Sequence, residues 1–262
     1  MGVDSGLATF RGRNQESKGW GPIERGEETP YSMCKPRRFD EQPALAWGYA
    51  VERYKAFFAA EPHEGYSMIT RWSHGDGGRQ LAVFTSNIDS HWHRTLLAQA
   101  PTAPLVEYHG SMRHMQCHKN CRSGSITPVN HDVIVGTRVH SAESGEAESM
   151  YPPCEDCGAL QRFNVCLIAD THFSATLRND QQAAFDAFVA KVQRPVVLEI
   201  GAGLGIPTVR QTSERIVSAK PDAVLVRINV DDPEVPTHLA GRSISMACGA
   251  LDALQAIHKH LF

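Results

Sequence analysis

No stretch of this 262-residue sequence approaches the roughly 18 apolar residues that span a bilayer as a helix, so no membrane partner is expected. Nor does an apolar signal-peptide core follow Met1, and the expected address is the cytoplasm. Lysine- or arginine-rich runs are missing and the formal net charge is −3, which leaves no electrostatic reason for nucleic-acid binding. No internal repeat is found. What is there is ordinary for a globular chain: 42% hydrophobic and 21% charged residues, over a length suited to one large domain or a large domain with a smaller insert.

Cysteine, by contrast, is plentiful. Seven in a cytosolic chain argue for metal binding rather than disulfides. Cys117-x3-Cys121 and Cys154-x2-Cys157 form two close pairs separated by 32 residues. Each pair, on a tight turn, clamps one side of a tetrahedral zinc, and Gly158 suits such a knuckle. Four thiolates close the coordination sphere, so the zinc is expected to be structural. His118 lies inside the first loop, but the thiolates suffice without it. Cys34, Cys166 and Cys248 have no paired neighbours and read as ordinary core or surface residues.

Along the chain, Gly2, Ser5, Gly6 and Gly12 read as a ligand loop, and residues 13–40, with three prolines, as irregular. Leu45, Trp47, Ala50, Val51, Tyr54 and Phe57 recur at helical spacing and predict a helix over 41–59; a second is expected at about 63–73. Leu81–Thr85 is a short strand of buried type ending at Ser86-Asn87-Ile88-Asp89, a position that suits ligand contact. Val106–Tyr108 is read as extended, leading to His109 and Gly110. Asp132–Val139 and Asn164–Ile168 are also expected to be extended, flanking the second cysteine pair. Helices are expected at Gln181–Val192, 207–219 and 247–260, and strands at Pro195–Ile200 and Ala223–Asn229. This alternation indicates an α/β fold with parallel strands. Val197 to Gly205 looks like the first motif of class I S-adenosylmethionine methyltransferases. Its late position, and Asn229 rather than an acidic residue at the end of the next strand, argue against that activity.

Taken together, the motifs resemble the sirtuin family, the NAD-dependent protein lysine deacylases. Gly2 to Gly12 looks like the tail of the family's glycine-rich loop GAGxSxxSGIPDFRG. Thr85 to Asp89 matches its TQNID strand end, Tyr108-His109-Gly110 its histidine-glycine motif, and the cysteine pairs its zinc ribbon. Gly201-Ala202-Gly203 stands in the place of its GTS turn, and Ile228-Asn229 in that of its IN pair. The similarity runs nearly end to end, nearest to bacterial-type members.

The resemblance implies a Rossmann-like NAD-binding domain over 1–112 and 164–262 and a zinc-ribbon domain over 113–163. It implies removal of acyl groups from protein lysine, with NAD as co-substrate, zinc as structural metal and an acyl-lysine protein or peptide as partner. His109 takes the role of general base toward a ribose hydroxyl. Asn87 orients water and ribose, Asp89 holds the nicotinamide amide, and Ser86 stands beside them. Phe10 shields the reactive carbon and Arg11 steadies the loop, to which Gly2 also belongs, or the phosphates. Gly201, Ala202, Gly203 and Asn229 face the adenosine half. Arg53 corresponds to the arginine that in desuccinylase-type members holds an acidic acyl group, with Ala50 at the position of its tyrosine partner.

Departures from the family pattern carry expectations of their own. The first strand and the GAG that opens the loop are not in this sequence, which implies an N-terminally incomplete member through a misplaced start or a truncation. Ala8-Thr9 replaces Pro-Asp, Ser86 the glutamine of TQN, and Ser90-His91-Trp92-His93 the stretch where GLH is usual. Thr95-Leu96 stands for Ala-Gly, Arg162-Phe163 for RP and Ile168-Ala169-Asp170 for FGE. Alternative readings are sirtuin-type transfer of ADP-ribose to protein, simple NAD hydrolysis, or an inactive remnant.

Overall fold

The structure, a computed structural model, describes residues 1–7, 21–73, 80–122 and 125–261. The proline-rich start is more helical than expected. Short helices form at Gly21–Glu24 (α1), Pro30–Met33 (α2) and Arg37–Glu41 (α3). In α2 the prolines expected to break structure instead open it: Pro30 sits in the first turn, and Thr29 and Ser32 cap each other's backbone N–H. Helix α4 (Pro43–Ala59) buries Trp47, Val51 and Tyr54, one face at helical spacing. Helix α5 (Glu64–Trp72) follows, capped by the His63 side chain, which accepts from Gly65 N.

Strand β1 (Val83–Thr85) pairs in parallel with β2 (Leu105–Glu107), Thr85 opposite Glu107, and the helix α6 (His91–Gln99) makes the crossover. The chain then enters an antiparallel sheet in the order β4-β3-β5, formed by β3 (Gly110–Cys117), β4 (Ile126–Pro128) and β5 (Gln161–Val165). Met115 and Phe163 pair across it and pack with Trp47, Val51 and Tyr54 of α4. Asp132–Val139 was expected to be extended, and this is corrected: His131–Gly136 is a helix (α7). Asn130 caps it through a 3.3 Å bond from Val133 N, which outweighs the β-branched run.

Helix α8 (Thr176–Lys191) begins five residues before the expected start, and leads into β6 (Val196–Ile200), α9 (Thr208–Ala219) and β7 (Val224–Ile228). A strand not foreseen in the sequence, β8 (Ser243–Met246), completes a parallel ladder β6-β7-β8 before the closing helix α10 (Ala250–Leu261). Among the described residues no ladder joins β1 to β6. Val83 nonetheless shares one apolar cluster with Leu198 and Ile200, and Phe84 shares another with Val197. The two parallel ladders thus lie under common cover without bonding to each other. This is the expected α/β architecture with a small antiparallel unit that carries the cysteines.

Candidate active site and metal centre

The C-terminal ends of the parallel strands gather most of the polar residues singled out in the sequence. At the end of β1, Asn87 N donates to Thr85 Oγ1 at 3.1 Å, and Asp89 Oδ1 accepts from His91 N at 2.9 Å, capping α6. The turn at Gly2 lies against the same pair: a Cβ there would stand 3.5 Å from Asp89 Oδ2 and 3.8 Å from Asn87 Nδ2. Asp4, two residues on, reaches the other ladder, 3.7 Å from where a Cβ on Gly249 would stand. Residues 2–4 therefore bridge the ends of β1 and β8.

His109 follows β2 directly. Its Nδ1 lies 3.1 Å from the Ser86 carbonyl oxygen, an acceptor only, so Nδ1 carries the proton and Nε2 keeps its lone pair. Burial pushes the imidazole below its ordinary value, more than the bond to Ser86 raises it, and Arg178 lowers it further. The ring is therefore a neutral base near pH 7. Gly110 lets the chain turn here: its φ is +79°, and a Cβ would collide with the carbonyl oxygen of Asn164. Cys166 N donates to His109 O at 2.8 Å and holds the turn from the opposite side.

The second group sits at the ends of β6 and β7. Gly201, at φ +65°, donates to Ile228 O at 2.8 Å. Asn229 Nδ2 donates to Ala202 O at 3.0 Å, while its Oδ1 accepts from Asp231 N and Asp232 N. Asn229 thus shapes the turn through Ala202 and Gly203 instead of pointing its amide freely outward. Among the described residues no hydrogen bond links this group to His109. Phe10 and Arg11 lie outside the described residues.

Arg53 lines a small cavity with Tyr49, Cys34, Arg162 and Ile88 among its other walls. Ile88 lies between Asn87 and Asp89, so the cavity opens toward the strand end. Arg53 donates to Cys34 Sγ at 3.5 Å and stacks over the Tyr49 and Phe57 rings. Burial pushes the Tyr49 phenol up to about 12, so it stays protonated and able to donate. Tyr49 was not singled out from the sequence, where the tyrosine partner was sought at Ala50. The available signal was spacing, since residues four apart share a helix face as readily as residues three apart.

The four cysteines converge. Cys117 and Cys157 sulfurs are 3.6 Å apart, as are those of Cys121 and Cys154, and all four lie within 4.8 Å of one another. A tetrahedral zinc with bonds of about 2.3 Å needs sulfurs about 3.8 Å apart, so the donor set fits zinc. His118 turns away, with Nε2 3.0 Å from Asp40 Oδ1. A closed thiolate sphere has no open position for substrate, so the centre serves structure.

Parallel strand ends, a neutral histidine on the adjoining turn and a detached tetrathiolate define an α/β nucleotide-site protein with a metal-stapled accessory unit. The Sir2 family profile matches residues 1–190, and the chain belongs to that family. A curated NAD-dependent protein deacylase of Thermococcus kodakarensis is 28% identical over 206 residues, 77% of this chain. The match spans 66% of that relative, just under two thirds of its length. A solved structure of Sir2 homologues in complex with 2′-O-acetyl ADP ribose superposes with a TM-score of 0.67 at 20% identity, covering 99% of this chain and 87% of that one. A second, of a Sir2 mutant with a p53 peptide and NAD, gives 0.62 at 17% identity, covering 98% and 88%. At these identities the structural likeness shows the fold.

Proposed function

We propose that this chain is an NAD-dependent protein lysine deacylase acting in the cytoplasm, with 1–112 and 164–262 binding NAD and 113–163 forming the zinc-ribbon unit. The observation that carries this reading is the His109 imidazole, whose Nδ1 is committed to the carbonyl of Ser86, the residue before Asn87, while Nε2 keeps its lone pair. In the reaction the acyl-lysine oxygen forms a bond to the ribose carbon as the bond to nicotinamide breaks. His109 Nε2 then takes the proton of a ribose hydroxyl, which attacks the acyl carbon. Water completes the transfer, giving free lysine and O-acyl-ADP-ribose. Asn87 orients ribose and water, Asp89 receives the nicotinamide amide, and Gly2 and Ser86 shape the cradle with Phe10 and Arg11. Gly201, Ala202, Gly203 and Asn229 take the adenosine half. The deacylase name of the archaeal relative, and the acetyl-ADP-ribose, peptide and NAD named for the structural neighbours, support this reading.

Arg53 and Tyr49 support a second element, a preference for acidic acyl groups, because the guanidinium and phenol both wall the cavity that reaches Ile88. Comparing removal of acetyl and succinyl groups by wild type and Arg53→Ala tests it. Loss confined to the succinyl substrate is expected, and equal loss on both overturns the preference. Protein ADP-ribosylation and simple NAD hydrolysis use Asn87 and Asp89 but depend less on His109. Measuring O-acyl-ADP-ribose, ADP-ribosyl-protein and free ADP-ribose, with and without His109→Ala, separates the three. O-acyl-ADP-ribose that vanishes in His109→Ala is the expected result.

A further inference from the structure

Two arginines are buried beneath the turns that close β6 and β7, and they are neutralised unequally. Arg227 of β7 is held by the Glu199 carboxylate at 2.6 and 3.1 Å and by Glu214 at 2.7 Å. Arg210, in the first turn of α9, is 8% exposed and pairs with no carboxylate among the described residues. Its Nη2 donates to Ala202 O at 3.3 Å and to Asp232 O, its Nη1 lies 3.5 Å from Glu234 O, and its Nε is buried without a hydrogen-bond partner. Glu214 lies one helical turn along α9, but its carboxylate is engaged by Arg227. A buried guanidinium that meets only neutral carbonyl dipoles is incompletely compensated.

The carbonyl that Arg210 holds shows where its charge is felt. Ala202 O also accepts from Asn229 Nδ2 at 3.0 Å, so both of its lone pairs are taken by buried donors. The peptide bonds of the described residues are trans, and in a trans peptide the C=O and the following N–H point in opposite directions. With Ala202 O turned inward, the N–H of Gly203 faces outward, and no acceptor among the described residues takes it. A Cβ on Gly201 or Gly203 would meet nothing within 4 Å, so the space in front of that N–H is open. The N-terminus of α9 adds to the same positive field: Pro207 supplies no side-chain cap, and its first turn holds no acidic residue.

We propose that Arg210 is a positioning residue for the adenosine half of the dinucleotide: with Asn229 it aims the Gly203 N–H outward, and its charge, carried through that peptide, favours a phosphate oxygen over a neutral acceptor. The inference rests on the reading of this turn as the adenosine site. The two residues divide the work. Asn229 is neutral and orients the Ala202 carbonyl from β7, while its Oδ1 holds Asp231 N and Asp232 N. Arg210 brings the cation and ties Ala202 O to Asp232 O, so the turns that end β6 and β7 are joined as one unit.

The test is a titration of the zinc-loaded chain with AMP and with adenosine, followed at the Gly203 amide resonance, which reports weak binding. Wild type is expected to bind AMP more tightly than adenosine. Arg210→Gln removes the charge but keeps a donor for Ala202 O. It should weaken AMP about tenfold, the difference between a charge-assisted and a neutral hydrogen bond, and leave adenosine within about twofold. Arg210→Lys keeps the charge and should keep most of the AMP preference. Equal loss of both ligands in Arg210→Gln marks a merely structural clamp and overturns the proposal, as does unchanged AMP affinity or a lysine variant no better than the glutamine one. A measurement on wild type alone guards against variants that do not fold: the second ionisation of the bound AMP phosphate, read by phosphorus resonance, should fall below that of free AMP, and an unshifted value overturns the proposal. Failure of the adenosine-site reading appears differently, as wild type in which neither ligand moves Gly203, and takes the inference with it.

Discussion

Removing the Asp170 carboxylate should cost far more than an exposed acidic residue would. Asp170 and Arg162 are both essentially inaccessible, at 0% and 1% side-chain exposure, and meet through a two-pronged contact of 2.9 and 2.7 Å. The same carboxylate accepts from Leu167 N at 3.2 Å and His172 N at 3.0 Å, so it also folds the loop after β5. Asp170→Ala strips those bonds and leaves a buried guanidinium whose remaining hydrogen bond, among the described residues, is to Val165 O at 3.0 Å. Breaking one side of a buried pair typically costs about 3–5 kcal/mol, whereas replacing both partners with apolar groups is often close to neutral. Urea unfolding of the zinc-loaded protein at pH 7 should therefore show a loss of about 3–5 kcal/mol for Asp170→Ala. Arg162→Met combined with Asp170→Ala should recover most of it. Because Cys166 N holds His109 O from this loop, the single variant should also lose activity. A loss below about 1 kcal/mol, or a double variant no more stable than the single, would refute the assignment of this pair as a buried, mutually dependent unit.

Three further outcomes follow from the same structure. Gly110→Ala forces a side chain into the left-handed region and onto Asn164 O, so it should destabilise by about 1–3 kcal/mol and depress catalysis; an unchanged Tm and rate would contradict the role of the turn. Metal analysis should find one zinc per chain, and Cys154→Ser should lose it with a large fall in Tm, since metal held by four thiolates contributes directly to folding. Glu107 has a folded value near 7, above its unfolded 4.5, so its stabilising effect is full below 4.5 and is lost as pH rises through 7. Glu107→Gln should therefore gain about 3 kcal/mol relative to wild type between pH 5 and pH 8, read from urea midpoints, and a constant difference would show that the carboxyl is not buried as described.

Residues whose chemistry is local were legible in the sequence, and residues whose role depends on distant partners were not. The cysteine pairs converge as their spacing implies, and His118 stays out of the cluster. His109 and the Asn87–Asp89 strand end fall on neighbouring elements, because a short strand followed by a polar turn has few ways to fold. The stretch 132–139 misled because its valines and isoleucine favour strands, while the Asn130 cap selects a helix. Strand β8 was hidden because two of its four residues are serines and Ile244 is exposed. Glu107 reads in isolation as a surface charge; only the pairing of β2 with β1, and Gln181 arriving from α8 74 residues later, bury it. Tyr49 was passed over because the partner of Arg53 was sought three residues before it on α4 and not four, and because Cys34, which joins them in the same cavity, comes from the end of α2.

The most direct test of the central claim is the stoichiometry of nicotinamide released to acyl groups removed, measured by mass spectrometry on an acetyl-lysine peptide with NAD. If the acyl oxygen captures the ribose carbon at this strand end and His109 completes the transfer, the ratio is one to one and every removed acyl group is found on ADP-ribose. Nicotinamide released at the same rate without peptide, with ADP-ribose free and the lysine still acylated, would contradict it.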